Sequence, residues 1–215
     1  LGPDYDFLIP VASTLDQQSF SNFVFQKLLP RMQWPKSSIT LVPDAREATS
    51  YGYRASGPPP FDPSKLLVDP YATELDHRFV YDSRLAQRGV DTASLVPKSI
   101  VRAPLPPVPA PRLFREGELI YELNVRGFTM LHPDVPQHLR GTIAALAHPS
   151  IVAHLKKLHV SAIELMPVAA WIDERHLAAL GLSNAWGYHP VVPMALDPGL
   201  APGGVRELRE TVAVL

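Results

Sequence analysis

Cysteine is absent from the 215 residues, which excludes a disulfide framework, a thiolate nucleophile and a thiolate metal site. That absence fits a cytoplasmic protein. No apolar run approaches the roughly 20 residues that cross a bilayer, so no membrane partner is expected. Twenty Lys and Arg stand against 21 Asp and Glu, a net charge of -1. Such a balance gives no basic footprint for nucleic acid and no attraction to an anionic lipid surface. None of the eight histidines has a second His at metal-ligand spacing. His132, His148 and His189 therefore read as loop or surface residues, and no metal is expected. Gly203-Gly204 lacks the lysine and the spacing of a phosphate-binding loop, so no nucleotide or other cofactor is expected either.

The start, Leu1-Gly2-Pro3-Asp4, has no initiator Met and no basic or apolar region of a secretory signal. Glu207 to Leu215 stops inside an apolar periodic segment without a capping or breaking residue. Both ends read as cuts in a longer protein. What the chain has in abundance is proline, 24 residues of it, many outside the periodic segments where a fixed φ and a missing N–H suit loops.

Hydrophobic periodicity divides the remainder. Phe20, Phe23, Val24, Phe25, Leu28 and Leu29 fit either one helical face or two short strands. Residues 39–57 read as strand material, with Ile39 to Val42, a polar turn at Pro43 to Arg46, and Tyr51-Gly52-Tyr53-Arg54. Gly57-Pro58-Pro59-Pro60 then stops regular structure. Five alternating or paired prolines between Arg102 and Arg112 favour an extended polyproline spacer and set a domain boundary at 102–112. A plain linker is the reading preferred over a Pro-rich ligand for a partner module.

Beyond that spacer the pattern becomes β/α. Leu119 to Val125 reads as a strand, and Ile151, Val152, Leu155 and Leu158 follow Pro149 at helical spacing. Ala162 to Met166 reads as a second strand, and Val205, Leu208, Val212 and Leu215 as a second helical stripe. Strand, helix, strand in that order implies parallel pairing. A closed barrel of this type needs eight such units and ~250 residues, so the segment reads as the start of something larger.

The motifs carry a family resemblance. They are Pro43-Asp44-Ala45-Arg46, Tyr51-Gly52-Tyr53-Arg54, Lys65-Leu66-Leu67-Val68-Asp69-Pro70-Tyr71-Ala72 and Val96-Pro97-Lys98-Ser99. They continue through Ile120 to Thr129, Glu164-Leu165-Met166-Pro167-Val168, Gly181 to Tyr188, and Leu200-Ala201-Pro202-Gly203-Gly204. In order and spacing, residues 41–215 resemble bacterial glycogen debranching enzymes and isoamylases of the α-amylase superfamily. The debranching choice over branching and trehalose-releasing relatives rests on the wording around Arg126, Asn184 and Pro202. The resemblance implies an N-terminal glycan-binding β-sandwich over 1–101, the linker at 102–112, and the first units of a (β/α)8 barrel over 113–215. It also implies hydrolysis of α-1,6 branch linkages in glycogen or limit dextrin. An Asp nucleophile and a Glu acid/base, ~5–5.5 Å apart in such retaining enzymes, would do the chemistry.

Four departures accompany it. The catalytic Asp, the catalytic Glu and the stabilising Asp of the family come from later strands, beyond Leu215. The Asn-His pair that closes the family's third strand is likewise absent. The loop at Pro58-Pro59-Pro60 is short, and residues 1–40 lack the usual opening strands.

Glu122 and Glu164 lie within predicted strands rather than at their C-terminal ends, where barrel active sites form. They are therefore expected to be buried or half-buried structural groups, and no catalytic residue is assigned to this chain. Tyr188 is the leading candidate for contact with an α-glucan, because the family's matching Tyr stacks on the sugar. An aromatic face suits the C–H face of a glucose ring. Trp186 and Asn184 share its loop and suit substrate contact and loop support equally. Asn124 and Arg126 end the first strand and are expected to anchor loops. A stand-alone glucan-binding or remnant protein is the alternative reading.

Overall fold

The computed structural model describes residues 46–107 and 115–215. The expected elements over 1–45, and the part of the proline-rich spacer at 108–114, lie outside the described residues. Contacts divide the chain into a compact unit of residues 42–54 and 63–215 and a second unit of 1–41 and 55–62. Segment 63–101 lies in the larger unit. Within 55–62, Phe61 N–H donates to Pro58 O at 3.2 Å and closes a turn where the proline run ends regular structure.

In the larger unit, β1 (Ser50–Tyr51) pairs antiparallel with β2 (Ser99–Ile100), and Tyr53 and Leu67 add an isolated bridge. The Tyr51 hydroxyl donates to Asp69 Oδ2 at 2.7 Å. Burial and that neighbouring carboxylate, in this order, push the Tyr51 phenol well above its ordinary range, so it stays a donor at every physiological pH.

Segment 82–92 owes its shape to one lysine. Lys65 Nζ donates to the carbonyls of Arg84, at 3.2 Å, Gln87, and Val90, at 3.2 Å, gathering three acceptors that no strand satisfies. Lys65→Met keeps the stem but removes the shared donor, so that of the three carbonyls Arg84 O retains its bond from Gln87 N, at 3.1 Å, and half-buried Val90 O loses the lysine. Unfolding free energy should fall by about 1–2 kcal/mol, read from the urea midpoint, with faster amide exchange at Leu85 and Gln87.

β3 (Ile120–Leu123) and β4 (Ala162–Leu165) form the expected parallel pair, with Tyr121 opposite Ile163 and Leu123 opposite Leu165. The first strand is shorter than its apolar run, because Asn124 caps α1 (Val125–Thr129) by accepting from Gly127 N at 2.8 Å. α2 (Pro149–Lys157) links the two strands, opened by Pro149 in its first turn and by His148 as cap. It buries Ile151 and Leu155, whereas Leu158 falls past its end and is exposed.

Between β4 and the last helix lies an excursion that periodicity did not reveal. β5 (Ala169–Trp171), the short α3 (Arg175–Ala179) and β6 (Pro190–Leu196) form an antiparallel pair with two irregularities in register. α4 (Gly204–Val214) follows, and buries Thr211 rather than the expected Val212. Thr211 Oγ1 reaches Ile143 O at 3.5 Å, and Glu207 Oε1 accepts from Ala144 N at 2.9 Å. Those bonds seat the helix on the 3-10 turn Ala144–Ala147, beside a core of Leu123, Val125, Ile143, Leu146, Trp171 and Leu200. No helix among the described residues is long and apolar enough to cross a membrane.

Candidate functional site

The loop between α3 and β6 is built around Asn184. Its backbone N–H donates to Asp173 Oδ1 at 2.7 Å, and its side-chain Nδ2 donates to Glu174 Oε1 at 3.1 Å. Its Oδ1 accepts from both Trp186 N and Gly187 N at 2.9 Å. A buried side chain with its donors and acceptor engaged in this way acts as the loop's internal post. The second anchor comes from β3's end, where Asn124 Nδ2 donates to Ala185 O at 2.9 Å. Asn124 therefore caps a helix with its oxygen and holds the loop with its nitrogen, as its place at the strand end led us to expect.

Gly187 makes the turn possible. Its φ of +78° lies in the left-handed region, and a Cβ there would sit 2.9 Å from Pro167 O and 3.2 Å from Pro167 Cβ. So constrained, the chain turns two aromatic side chains outward. Trp186 is 65% and Tyr188 63% exposed, far more than large aromatic residues in a packed interior. Their ring centroids are 6.5 Å apart with planes tilted by 42°, which makes a two-ring platform open to solvent. Asn184, Trp186 and Tyr188 are thus brought into one loop, with Asn184 beneath and the aromatics above.

Glu122 and Glu164 correct the sequence expectation. They are directly opposed in the parallel register and both exposed, not half-buried. Their strands alternate faces, and the packed face is taken by Tyr121, Leu123, Ile163 and Leu165. The other face, which carries the two glutamates and exposed Ile120, is open among the described residues.

Three histidines make loop contacts. His148 Nδ1 lies 2.8 Å from Ser150 Oγ, His132 Nδ1 accepts from Asp134 N at 3.3 Å, and His189 Nδ1 lies 3.0 Å from Ile172 O. Among the described residues no three His, Cys, Asp or Glu side chains converge as a metal site would require.

One buried ion pair escaped sequence reasoning. Asp197, at the end of β6, has a side chain only 1% exposed, and its Oδ2 lies 3.3 Å from Arg78 Nε. Arg78 stacks over the Trp171 ring with its guanidinium carbon 4.5 Å from the centroid. Burial pushes the Asp197 carboxyl above its ordinary value, opposed by Arg78 and by the Gly199 and Leu200 amides. The partners stand 119 positions apart in sequence, so no local spacing signals the pair.

No protein-family model matches the chain. Among curated proteins it is 42% identical to a glycogen debranching enzyme of Yersinia enterocolitica over 201 aligned residues, covering 81% of this chain and 29% of that enzyme. A glycogen debranching enzyme of Yersinia pseudotuberculosis is 41% identical over 199 residues with the same two coverages. Among solved structures it resembles a pullulanase of Anoxybacillus sp. LM18-11 in complex with maltotetraose, with TM-score 0.53 and 22% identity over 78% of this chain and 24% of the other. A pneumococcal multi-modular glycogen-degrading virulence factor gives TM-score 0.54 and 23% identity over 77% and 18%. At such identities the structural likeness speaks for fold alone. The chain spans less than a third of the length of the curated relatives it matches. It is homologous to the N-terminal part, about 29%, of bacterial glycogen debranching enzymes.

Proposed function

We propose that this chain is the front part of a debranching glycoside hydrolase that cleaves α-1,6 branch linkages of glycogen or limit dextrin. Its own contribution is to hold α-glucan, while the Asp nucleophile and Glu acid/base belong to sequence that it does not contain. In this reading residues 1–101 form a glycan-binding-type domain, 102–112 a linker, and 113–215 the first β/α units of a (β/α)8 barrel. The observation that carries it is the homology to debranching enzymes across 81% of the chain. The outward Trp186 and Tyr188 rings support it, since solvent-exposed aromatic faces suit the C–H faces of glucose residues.

On this reading each residue of the loop has a physical task. Tyr188 stacks on one glucose, Trp186 flanks it, and Asn184 keeps both presented by holding the turn. Substrate contact thereby falls to the aromatics, and the Asn184 contribution passes through the backbone. Glu122 and Glu164 carry no catalytic role in this reading, because both stand exposed on a strand face, outside any water-excluded cleft.

Co-sedimentation with glycogen tests the binding half. Tyr188→Ala should weaken retention about tenfold, the ~1.4 kcal/mol expected for one lost aromatic stack. Equal retention of variant and parent would remove Tyr188 from the site. A stand-alone glucan-binding protein is the second reading, and the exposed Trp186 and Tyr188 rings suit it equally. It predicts the same binding without a catalytic partner segment.

A further inference from the structure

The loop that carries Trp186 and Tyr188 is held by consecutive residues at the end of β5. Trp171 pairs with Pro190 across the sheet, Ile172 N–H donates to His189 O at 3.2 Å, and Asp173 Oδ1 accepts from Asn184 N at 2.7 Å. Trp171 also sets its ring against the turn itself, where a Cβ on Gly187 would meet Trp171 Cε3 at 3.4 Å. The buried indole is therefore the floor under the glycine that separates the two exposed rings.

We infer that Arg78, from the segment between β1 and β2, is a positioning residue for this aromatic platform and acts through Trp171. No hydrogen bond fixes the tilt of the Trp171 ring, because its buried Nε1 has no acceptor. Its orientation falls to packing and to the Arg78 guanidinium, whose carbon lies 4.5 Å from the ring centroid. The guanidinium is in turn held by the buried Asp197 carboxylate, with Oδ2 3.3 Å from Arg78 Nε. Influence then passes from guanidinium to indole, from indole to Gly187, and from Gly187 to the rings on either side.

The same segment makes a second tie to the loop's support. The Tyr81 hydroxyl accepts from Arg175 Nε at 3.1 Å, at the start of the α3 helix that leads into the loop. Arg78 is the stronger lever, because it works on a buried ring. A lysine in its place would keep the charge beside Asp197 but lose the flat face that stacks on the indole. Arg78→Lys should therefore loosen the ring while sparing most of the stability that Arg78→Ala loses. That the platform touches glucan rests on the function proposed above; its positioning by Arg78 does not.

Glycogen retention of the parent, Arg78→Lys, Tyr188→Ala and the double variant forms a cycle, read on folded protein well below its unfolding transition. Arg78→Lys should weaken retention about threefold in the parent, and by clearly less in Tyr188→Ala, where one of the rings it orients is gone. In a nitrogen-15 correlation spectrum of Arg78→Lys the Trp186 indole and Gly187 amide signals should shift, while those of α2 stay in place. Trp186→Phe assigns the indole signal. Full retention in Arg78→Lys, an equal loss in both backgrounds, or unmoved Trp186 and Gly187 signals would each overturn the inference. If glycogen fails to retain the parent, the function proposed above falls, and the two signals alone decide the positioning.

Discussion

Arg78→Ala is expected to lower the unfolding free energy by about 2–3 kcal/mol at neutral pH. Removing one member of a buried pair costs ~3–5 kcal/mol, because the charge left behind is both desolvated and unpaired. Here the figure is set lower because the Arg78 side chain is 38% exposed and its charge is partly screened. The remaining Asp197 is not screened, being almost wholly buried. Its pH signature separates this cause from a loss of packing. Asp197 has its folded pKa raised above the ordinary 3.8, so its contribution is fully favourable below that value and is lost as pH rises through the folded pKa. Arg78 opposes that rise, and without it the loss must extend further. The deficit of Arg78→Ala relative to the parent should therefore be small near pH 4 and grow toward pH 7, as followed by urea midpoints. A deficit independent of pH would mean that stacking on Trp171, and not the charge pair, holds this corner.

Gly187→Ala should have the larger effect on binding. The methyl would approach Pro167 O to 2.9 Å, closer than van der Waals contact allows, and a φ of +78° adds strain for any residue with a Cβ. Backbone on both sides must then move. The first bonds to yield are those from Trp186 N and Gly187 N to Asn184 Oδ1, because they define the turn. We expect glycogen retention to fall at least as far as in Tyr188→Ala, with a fall in stability of about 2 kcal/mol that Tyr188→Ala does not share. Retention of full binding in Gly187→Ala would show that the aromatic pair does not depend on this turn.

These predictions rest on parts of the molecule that differed in legibility. The parallel β3–β4 pair and α2 could be read because apolar periodicity, Pro149 and strand order act locally and agree with one another. β5 and β6 could not. Ala169-Ala170-Trp171 is too short for an alternating signal, and Pro190 and Pro193 argue against a strand except at an edge or an irregular pairing, which is where the structure places them. The strand ending at Leu123 was overextended because Asn124 resembles a strand residue until its capping bond to Gly127 is seen.

The site divided in the same way. Tyr188 stood out through the family resemblance, with Trp186 sharing its loop, and the structure exposes both. Asn184 was ambiguous because its type serves both loops and ligands, and only its four hydrogen bonds show how it is engaged. Glu122 and Glu164 were expected to be buried or half-buried because they lie within strands. Their exposure follows from a strand face that nothing in the described chain covers. The Arg78–Asp197 pair joins distant segments and leaves no motif at all.

The most direct test of the central claim measures glucan retention and reducing-sugar release from β-limit dextrin on one sample of the purified chain. The account predicts retention that falls in Tyr188→Ala, with no release above the blank. Release of reducing sugar would contradict it, since a carboxylate within these 215 residues would then be doing chemistry assigned here to sequence outside them.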